Sequence, residues 1–406
     1  MLKGGLGGGV STVVKAIGHW LLVKGLATHF GPAGVSLHAQ VVNLLNIFVI
    51  LPQQGIGRGL VRILSEEEEK AGGYWRLGQK LTAVLFAVLL GALGVLHGLG
   101  LYDGIGYGLG WEWWAVFLAC AYIYMHYPVL QGVLQAQQQF LAFSAFATLG
   151  SLLAAGFIWL LFTESLAWAL LSLPLSLILT SSATWVYISQ QGALSRGSPI
   201  PLKEGLAKLW PYILLALSGW VASSVQYGIR TFSIGELGLE QTSYWQAPAT
   251  LSSYYLTAFS TTFLFIFYPA ISKKVAKGEG VRAPLVKALL AMSVVIGLAL
   301  YGIYAYRGWV IDTLFAPSLR GAIPLMGTHI SGDFLGLLAS ILVYFLLAAG
   351  RFRWLLAQQL LGIATEVLVL VFLFEGWGIE AFPMAYACSK GVGLVVVVLG
   401  AVGFFR

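Results

Sequence analysis

The chain has 406 residues, of which 58% are hydrophobic and only 10% are charged. Soluble domains are charged at about a quarter of their positions, so this composition argues against a water-soluble enzyme or binding module. The net charge of +7 does not indicate a nucleic-acid partner, because the basic residues are spread over separate loops and helices instead of forming one cluster.

Glycines, prolines and charged clusters divide the sequence into apolar segments, each near the length of about 20 residues that a membrane-spanning helix requires. We predict an all-α polytopic membrane protein with twelve transmembrane helices. The longest polar connection, Ser189–Gly205, follows the sixth segment and divides the chain into two six-helix halves, residues 1–195 and 196–406. The predicted spans are 9–30, 37–63, 79–101, 112–134, 140–162, 165–189, 205–230, 242–271, 285–306, 322–349, 352–374 and 379–404.

The first span carries Lys15, His19 and Lys24 among its apolar residues. A charge at mid-depth in a bilayer costs about 2.5–3.5 kcal/mol or more, so such residues either have a function or extend to the interface. Lys15 and Lys24 are nine positions apart, which is about half a turn around a helix at roughly 100° per residue. Both therefore cannot point into one cavity.

Further charged residues occur in later spans. Arg58 and Arg62 share one face near the end of span two, and Arg230 closes span seven. For each of these three, an interfacial anchor is the alternative interpretation. A cavity lined by basic side chains would favour an anionic ligand, because lysine and arginine bind phosphate well. The candidate substrate-binding residues are Lys15, Lys24, Arg58, Arg62, Arg230 and Lys390.

The acidic residues within spans suggest ion coupling. An ionisable acid in a span can bind and release protons or sodium. The candidate ion-coupling residues are therefore Asp333 in span ten and Glu366 in span eleven, together with the ionisable His19. Two alternatives stay open. Asp333 could pair with a nearby lysine or arginine, and Glu366 could pair with Lys390.

Spans one and seven end in related sequences. Lys24 precedes FGPAG (Phe30–Gly34), and Arg230 precedes IGELG (Ile234–Gly238). Each half thus places a basic residue before a G-x-x-G turn, which predicts a parallel repeat with the substrate site between the halves. Arg230 would be the counterpart of Lys24.

Lysine and arginine also predict orientation. They concentrate on the side of the chain termini, whereas most loops on the other side carry acids, so both termini are predicted to be cytoplasmic. The acidic run SEEEEK (Ser65–Lys70) does not change this, since acidic residues contribute little to the rule.

Signatures of catalysis and cofactor binding are missing from the sequence. It has no P-loop, and its six histidines and two cysteines show no zinc-ligand spacing. We expect a protein that is not an enzyme and has no metal or cofactor.

Three stretches resemble the Wzx-type polysaccharide flippases, most closely those of enterobacterial common antigen. Ser11–Leu45 is similar to their first helix and turn, with two lysines followed by F-G-P-A-G. Tyr244–Lys273 is similar to their eighth helix, and Ser331–Trp354, with its G-D pair, to their tenth. The sequence is therefore identified as resembling the multidrug/oligosaccharidyl-lipid/polysaccharide (MOP) exporter superfamily.

This resemblance implies two six-helix bundles arranged as a V around a central cavity in the bacterial inner membrane. It implies transport of an undecaprenyl-pyrophosphate-linked glycan, such as an O-antigen unit, from the cytoplasmic to the periplasmic leaflet. Lys24 and Arg230 would contact the pyrophosphate, while the polyprenyl tail stays in membrane lipid. Protons, sodium or neither would drive the cycle, and we expect a monomer, with association with polysaccharide polymerase machinery left open.

Two other classes of protein remain. A multidrug antiporter of the same superfamily carries cations and would be expected to have acidic rather than basic residues in its cavity. A membrane-embedded glycosyltransferase would need a catalytic loop or paired carboxylates, and the predicted loops are too short for one.

Overall fold

The computed structural model describes residues 2–64, 68–98, 109–162, 165–192, 198–263, 267, 271–272, 274–275, 277 and 280–405. Within these residues the regular structure is entirely helical, which confirms the predicted all-α class. Part of the acidic loop, Ser65–Glu67, and the predicted boundary between residues 195 and 196 lie outside the described residues.

The described residues form a series of α-helices. We number them α1 Leu2–Ile50, α2 Arg58–Leu64, α3 Ala71–Gly98, α4 Trp111–Ala136, α5 Phe140–Leu161, α6 Leu166–Leu170, α7 Ser172–Gln190, α8 Leu202–Thr262, α9 Arg282–Ala305, α10 Arg307–Leu314, α11 Met326–Ala348, α12 Phe352–Trp377 and α13 Ala381–Phe405. A π-helix, Leu51–Gly57, joins α1 to α2, and 3₁₀ turns lie at Glu68–Lys70, Pro317–Leu325 and Gly378–Glu380.

The chain is a multi-pass membrane protein. Among the described residues, nine helical stretches are long and apolar enough to cross a membrane. Three of them, Val13–Leu64, Leu202–Thr257 and Phe352–Phe405, contain 52, 56 and 54 residues, and each could cross twice because one crossing needs about 20 residues. The count of twelve spans stays a prediction.

Two glycines interrupt the long helices α1 and α8. Gly31 has φ 62° and ψ −154°, and Gly238 has φ 76° and ψ 171°. Both values lie in a region of backbone space that is essentially restricted to glycine. The breaks separate predicted spans one from two and seven from eight. Each half of the predicted repeat thus has one glycine break between its first two predicted spans.

The helices form two compact units. One contains Met1–His29 and Gln40–Gly235, and the other contains Phe30–Ala39 and Glu236–Arg406. Each glycine break lies within three residues of a point where the chain passes from the first unit to the second. The sequence-based division into residues 1–195 and 196–406 stays a prediction.

Close backbone approach shapes the first unit. A Cβ on Gly57 would come within 2.7 Å of the Pro128 carbonyl oxygen, and one on Gly132 within 2.7 Å of the Gly57 oxygen. Without a hydrophobic driving force between helices in lipid, small residues of this kind allow the contact that holds spans together. The π-helix therefore packs against α4 through its own backbone, beside a core that includes Leu60 and Tyr74.

The second unit is built around α11, α12 and α13, with α8 beyond Gly238 packed on them. Trp245 stacks on Phe382 with ring centroids 5.0 Å apart. A Cβ on Gly332 would come within 2.7 Å of the Tyr386 ring, so α11 and α13 approach closely. The short segment Phe30–Ala39 joins this unit through Ser36, whose Oγ donates to the Leu239 carbonyl at 2.8 Å.

Alanine at either break should destabilise the protein. We expect Gly31→Ala and Gly238→Ala to cost about 1–3 kcal/mol each, because a Cβ is poorly tolerated at those dihedral angles. A Cβ at either position would meet no heavy atom within 4 Å. The loss of stability would therefore come from the backbone conformation alone. The measurement is the apparent melting temperature of the purified protein.

Gly235 supplies the matched control on α8. A Cβ there would also meet nothing within 4 Å, but its φ is not positive. Gly235→Ala should leave the melting temperature unchanged or raise it, since alanine favours helices over glycine by about 1 kcal/mol. Equal losses at residues 235 and 238 would contradict the proposed origin of the break.

Candidate functional site

The most strongly buried acid of the candidate set is Asp333 on α11, which is 0% exposed. Its carboxylate accepts hydrogen bonds from Ser252 Oγ at 2.6 Å and from the Tyr255 hydroxyl, both on α8. The Tyr386 hydroxyl on α13 donates to the other carboxylate oxygen at 2.7 Å. A buried charge is costly unless it is hydrogen-bonded or paired, and these three hydroxyl groups satisfy that condition.

Two further side chains complete this site. His329 Nε2 lies 3.9 Å from the Asp333 carboxylate, and its ring stacks on that of Tyr386 at 4.5 Å. Lys390 Nζ lies 4.9 Å from the Tyr386 ring centroid, a distance that allows a cation–π interaction. We call the set of Ser252, Tyr255, His329, Asp333, Tyr386 and Lys390 the Asp333 cluster.

Glycines on α11 explain why these groups meet. Gly332 and Gly336 are four residues apart and lie on one helix face. A Cβ on Gly336 would be 3.4 Å from the Lys390 side chain, and one on Gly332 would meet the Tyr386 ring. The sequence S-G-D-F-L-G therefore brings α13 against the turn of α11 that carries Asp333.

The contacts of the acidic residues bear on the alternatives left open by the sequence. Among the described residues, Asp333 contacts three hydroxyl groups and a histidine, and none of these partners is a lysine or arginine. Lys390 contacts the Tyr386 ring. Glu366 is buried on α12 and interacts electrostatically with Tyr386. Asp333 and Lys390 thus both contact Tyr386.

Sequence reasoning missed the hydroxyl partners of Asp333. Ser252, Tyr255 and Tyr386 are separated from Asp333 by 81, 78 and 53 positions, so no local spacing links them. His329 could have been found, since it lies four residues before Asp333 on the same helix face.

The remaining candidates lie in the first unit. Lys15 Nζ is 5.8 Å from the Phe143 ring centroid on α5. On the same side of α1, a Cβ on Gly18 would come within 2.7 Å of the Ser151 carbonyl oxygen. Lys15 therefore borders the face that packs on α5, whereas Lys24 lies about half a turn away. His19 and Lys24 are both half-buried.

Arg58 and Arg62 are both exposed on α2, and so is Gln53 in the preceding π-helix. The glycines at positions 55, 57 and 59 are buried instead. π-helical turns are frequent at functional sites, and here the turn separates a packed glycine face from an exposed polar one. The two arginines share that exposed face, as their spacing predicts.

Arg230 is half-buried on α8, next to a hydrogen-bonded pair. Gln40 Nε2 donates to Thr231 Oγ1 at 2.6 Å. Lys24 lies seven residues before Gly31, whereas Arg230 lies eight residues before Gly238. When the two breaks are aligned, Lys24 therefore matches Thr231, and Arg230 is displaced by one residue, about 100° around the helix.

Comparison with known proteins relates the whole chain to transporters. No family model matches the sequence. The protein named lipid III flippase of Escherichia coli K12 is 24% identical over 405 residues, covering 98% of this chain and 96% of that protein. The protein of the same name from Shigella flexneri matches equally well.

Solved structures agree on the fold. An inward-facing multidrug resistance MATE family transporter of the MOP superfamily has a TM-score of 0.75 at 17% identity, covering 97% of this chain and 94% of its own. The chain has the fold of the MOP transporters. The lipid II flippase MurJ in an inward closed conformation gives a TM-score of 0.73 at 12% identity, covering 99% of this chain and 88% of its own. The resemblance to MOP flippases that the sequence predicts is confirmed.

Removing one hydroxyl donor from Asp333 should destabilise the second unit. In Tyr386→Phe the carboxylate loses one of three hydroxyl partners, and a hydrogen bond to a charged group contributes about 1.5–3 kcal/mol. The apparent melting temperature should fall. Tyr306→Phe is the control, because Tyr306 is 70% exposed. Equal melting temperatures for the two variants would show that Asp333 does not depend on Tyr386.

Proposed function

We propose that the chain is a flippase of the MOP superfamily that moves undecaprenyl-pyrophosphate-linked oligosaccharide from the cytoplasmic to the periplasmic leaflet by alternating access. The observation that carries this proposal is the match, along 98% of the chain, to proteins named lipid III flippase, together with basic residues within the spans. The bacterial inner membrane is the proposed location, with both termini cytoplasmic and the chain acting as a monomer.

The physical need for such a protein follows from the substrate. A pyrophosphate bearing sugars meets a barrier in about 30 Å of hydrocarbon, because an unpaired charge in an apolar medium is very costly. A polar path with basic side chains lowers that barrier for an anion. Transport then requires only that the path open in turn to each side of the membrane.

Lys24 and Arg230 are the proposed pyrophosphate contacts, and Arg58 and Arg62 offer a second basic site. All four side chains are at least partly exposed, as a ligand contact requires. Lys15 is the weaker candidate of the first unit, since it borders the face packed on α5.

Ion coupling is proposed for the Asp333 cluster. Carboxylate and hydroxyl oxygens are the ligands that hard cations prefer, and the cluster supplies oxygens from three helices. A proton could occupy the same carboxylate, with His329 beside it. Lys390, within the cluster, and Glu366, beside it, would respond to a change of charge at Asp333.

A multidrug antiporter is the second candidate. The buried acid Asp333 and the TM-score of 0.75 to a MATE transporter favour it. If the chain is a multidrug antiporter, organic cations should compete for its binding site. If it is a flippase, its activity should depend on the basic residues.

Charge removal tests the substrate contacts. Lys24→Ala and Arg230→Ala should each abolish complementation of a flippase-deficient bacterial strain, because the pyrophosphate loses a cationic partner. Lys24→Arg retains the charge and should keep most of the activity. Membrane levels of each variant are measured by immunoblot. Full complementation by both alanine variants would rule out the proposed contacts.

Ion dependence tests the Asp333 cluster. Asp333→Asn cannot bind and release a cation in the same way, so transport should be slower and should depend less on pH or sodium. The measurement is the initial rate of flipping in proteoliposomes at imposed proton or sodium gradients. A slow variant with unchanged gradient dependence would make Asp333 a purely structural residue.

A further inference from the structure

A groove on the second unit lies outside the sites described above. It has a volume of about 830 Å³ and runs between the last turns of α9 and the first turns of α11. Leu300, Phe334 and Leu335 give it an apolar wall. Gly297 also lines the groove, and a Cβ there would lie 3.7 Å from the Phe334 ring, an ordinary contact distance.

Aromatic residues locate one end of the groove at the membrane surface. Tyr301 lines the groove and is 68% exposed, and Tyr306 and Trp309 just beyond it are 70% and 68% exposed. Exposed tyrosines and tryptophans concentrate at the membrane–water interface. The groove therefore begins at headgroup depth and continues into the hydrocarbon region.

A guanidinium stands at the interfacial end. Arg307 lies over the ring of Tyr304, a lining residue, at 4.4 Å, and its NH1 donates to the Tyr304 carbonyl at 2.9 Å. A guanidinium has five N–H donors, and this is the hydrogen bond that Arg307 makes within the described part of the chain. The ring and the carbonyl of Tyr304 hold the guanidinium in place.

The neighbouring arginine differs in this respect. Arg320 donates two hydrogen bonds to Asp312, at 2.9 and 2.7 Å, so its charge is paired. Arg307 thus offers charge at the groove end that suits a phosphate, since guanidinium binds phosphate oxygens with paired hydrogen bonds.

We propose that this groove binds one glycerophospholipid of the surrounding membrane. An acyl chain lies along Leu300 and Phe334, and the phosphodiester contacts Arg307. A single guanidinium next to an apolar groove matches the single phosphate and adjoining chain of such a lipid. The site is separate from the pyrophosphate contacts of the proposed flippase.

Lipid retention by the purified protein tests the site. The protein is exchanged into detergent with dioleoylphosphatidylglycerol, and native mass spectrometry measures the bound lipid. Arg307→Ala should weaken retention about tenfold, the factor expected for losing a charge-assisted hydrogen bond. Gly297→Leu should do the same by filling the groove.

Arg282→Ala is the control, since Arg282 is exposed at the opposite end of α9. It should retain the lipid like the unaltered protein. Undiminished retention in both Arg307→Ala and Gly297→Leu overturns the proposal. Tighter retention of undecaprenyl phosphate than of the phospholipid overturns it as well, because the groove would then hold a polyprenyl chain. The readout does not involve flipping, so it can succeed or fail independently of the proposed function.

Discussion

The absence of water in the hydrocarbon core is the constraint on which this structure depends. Backbone N–H and C=O groups in that region must be paired within the protein, which favours unbroken helices. Departures from the helix are therefore informative. The π-helix Leu51–Gly57 packs its backbone against Pro128 and Gly132, so protein covers the glycine face of the irregular turn. The breaks at Gly31 and Gly238 instead separate predicted spans, where interfacial water can satisfy the freed groups.

The same constraint governs charged side chains. Asp333 is tolerated in α11 because hydroxyl groups from α8 and α13 converge on it. The close approach at Gly332 makes this convergence sterically possible. Among the described residues, the hydroxyl groups and His329 are the partners of this carboxylate, and none of them is a lysine or arginine.

Composition and periodic spacing predict the helical class and most span positions, because bilayer thickness sets both. Local spacing also predicts that Arg58 and Arg62 share one helix face. The partners of Asp333 could not be predicted, since contacts between helices distant in sequence depend on packing. The echo between FGPAG and IGELG predicts a repeat, and the structure has one helix break within each motif. Its register differs, however, because the structure breaks the helix at the first glycine of one motif and the last glycine of the other. The alignment of the two motifs depends on backbone dihedral angles, which cannot be read from the sequence.

The central claim is that the transported molecule is a polyprenyl-pyrophosphate glycan. The most direct measurement reconstitutes the purified chain in liposomes with a defined fluorescent undecaprenyl-pyrophosphate oligosaccharide and follows its transfer between leaflets. We expect transfer that requires the protein and that excess organic cations do not inhibit. Absence of transfer, together with gradient-driven uptake of organic cations by the same liposomes, would contradict the account and identify a multidrug antiporter instead.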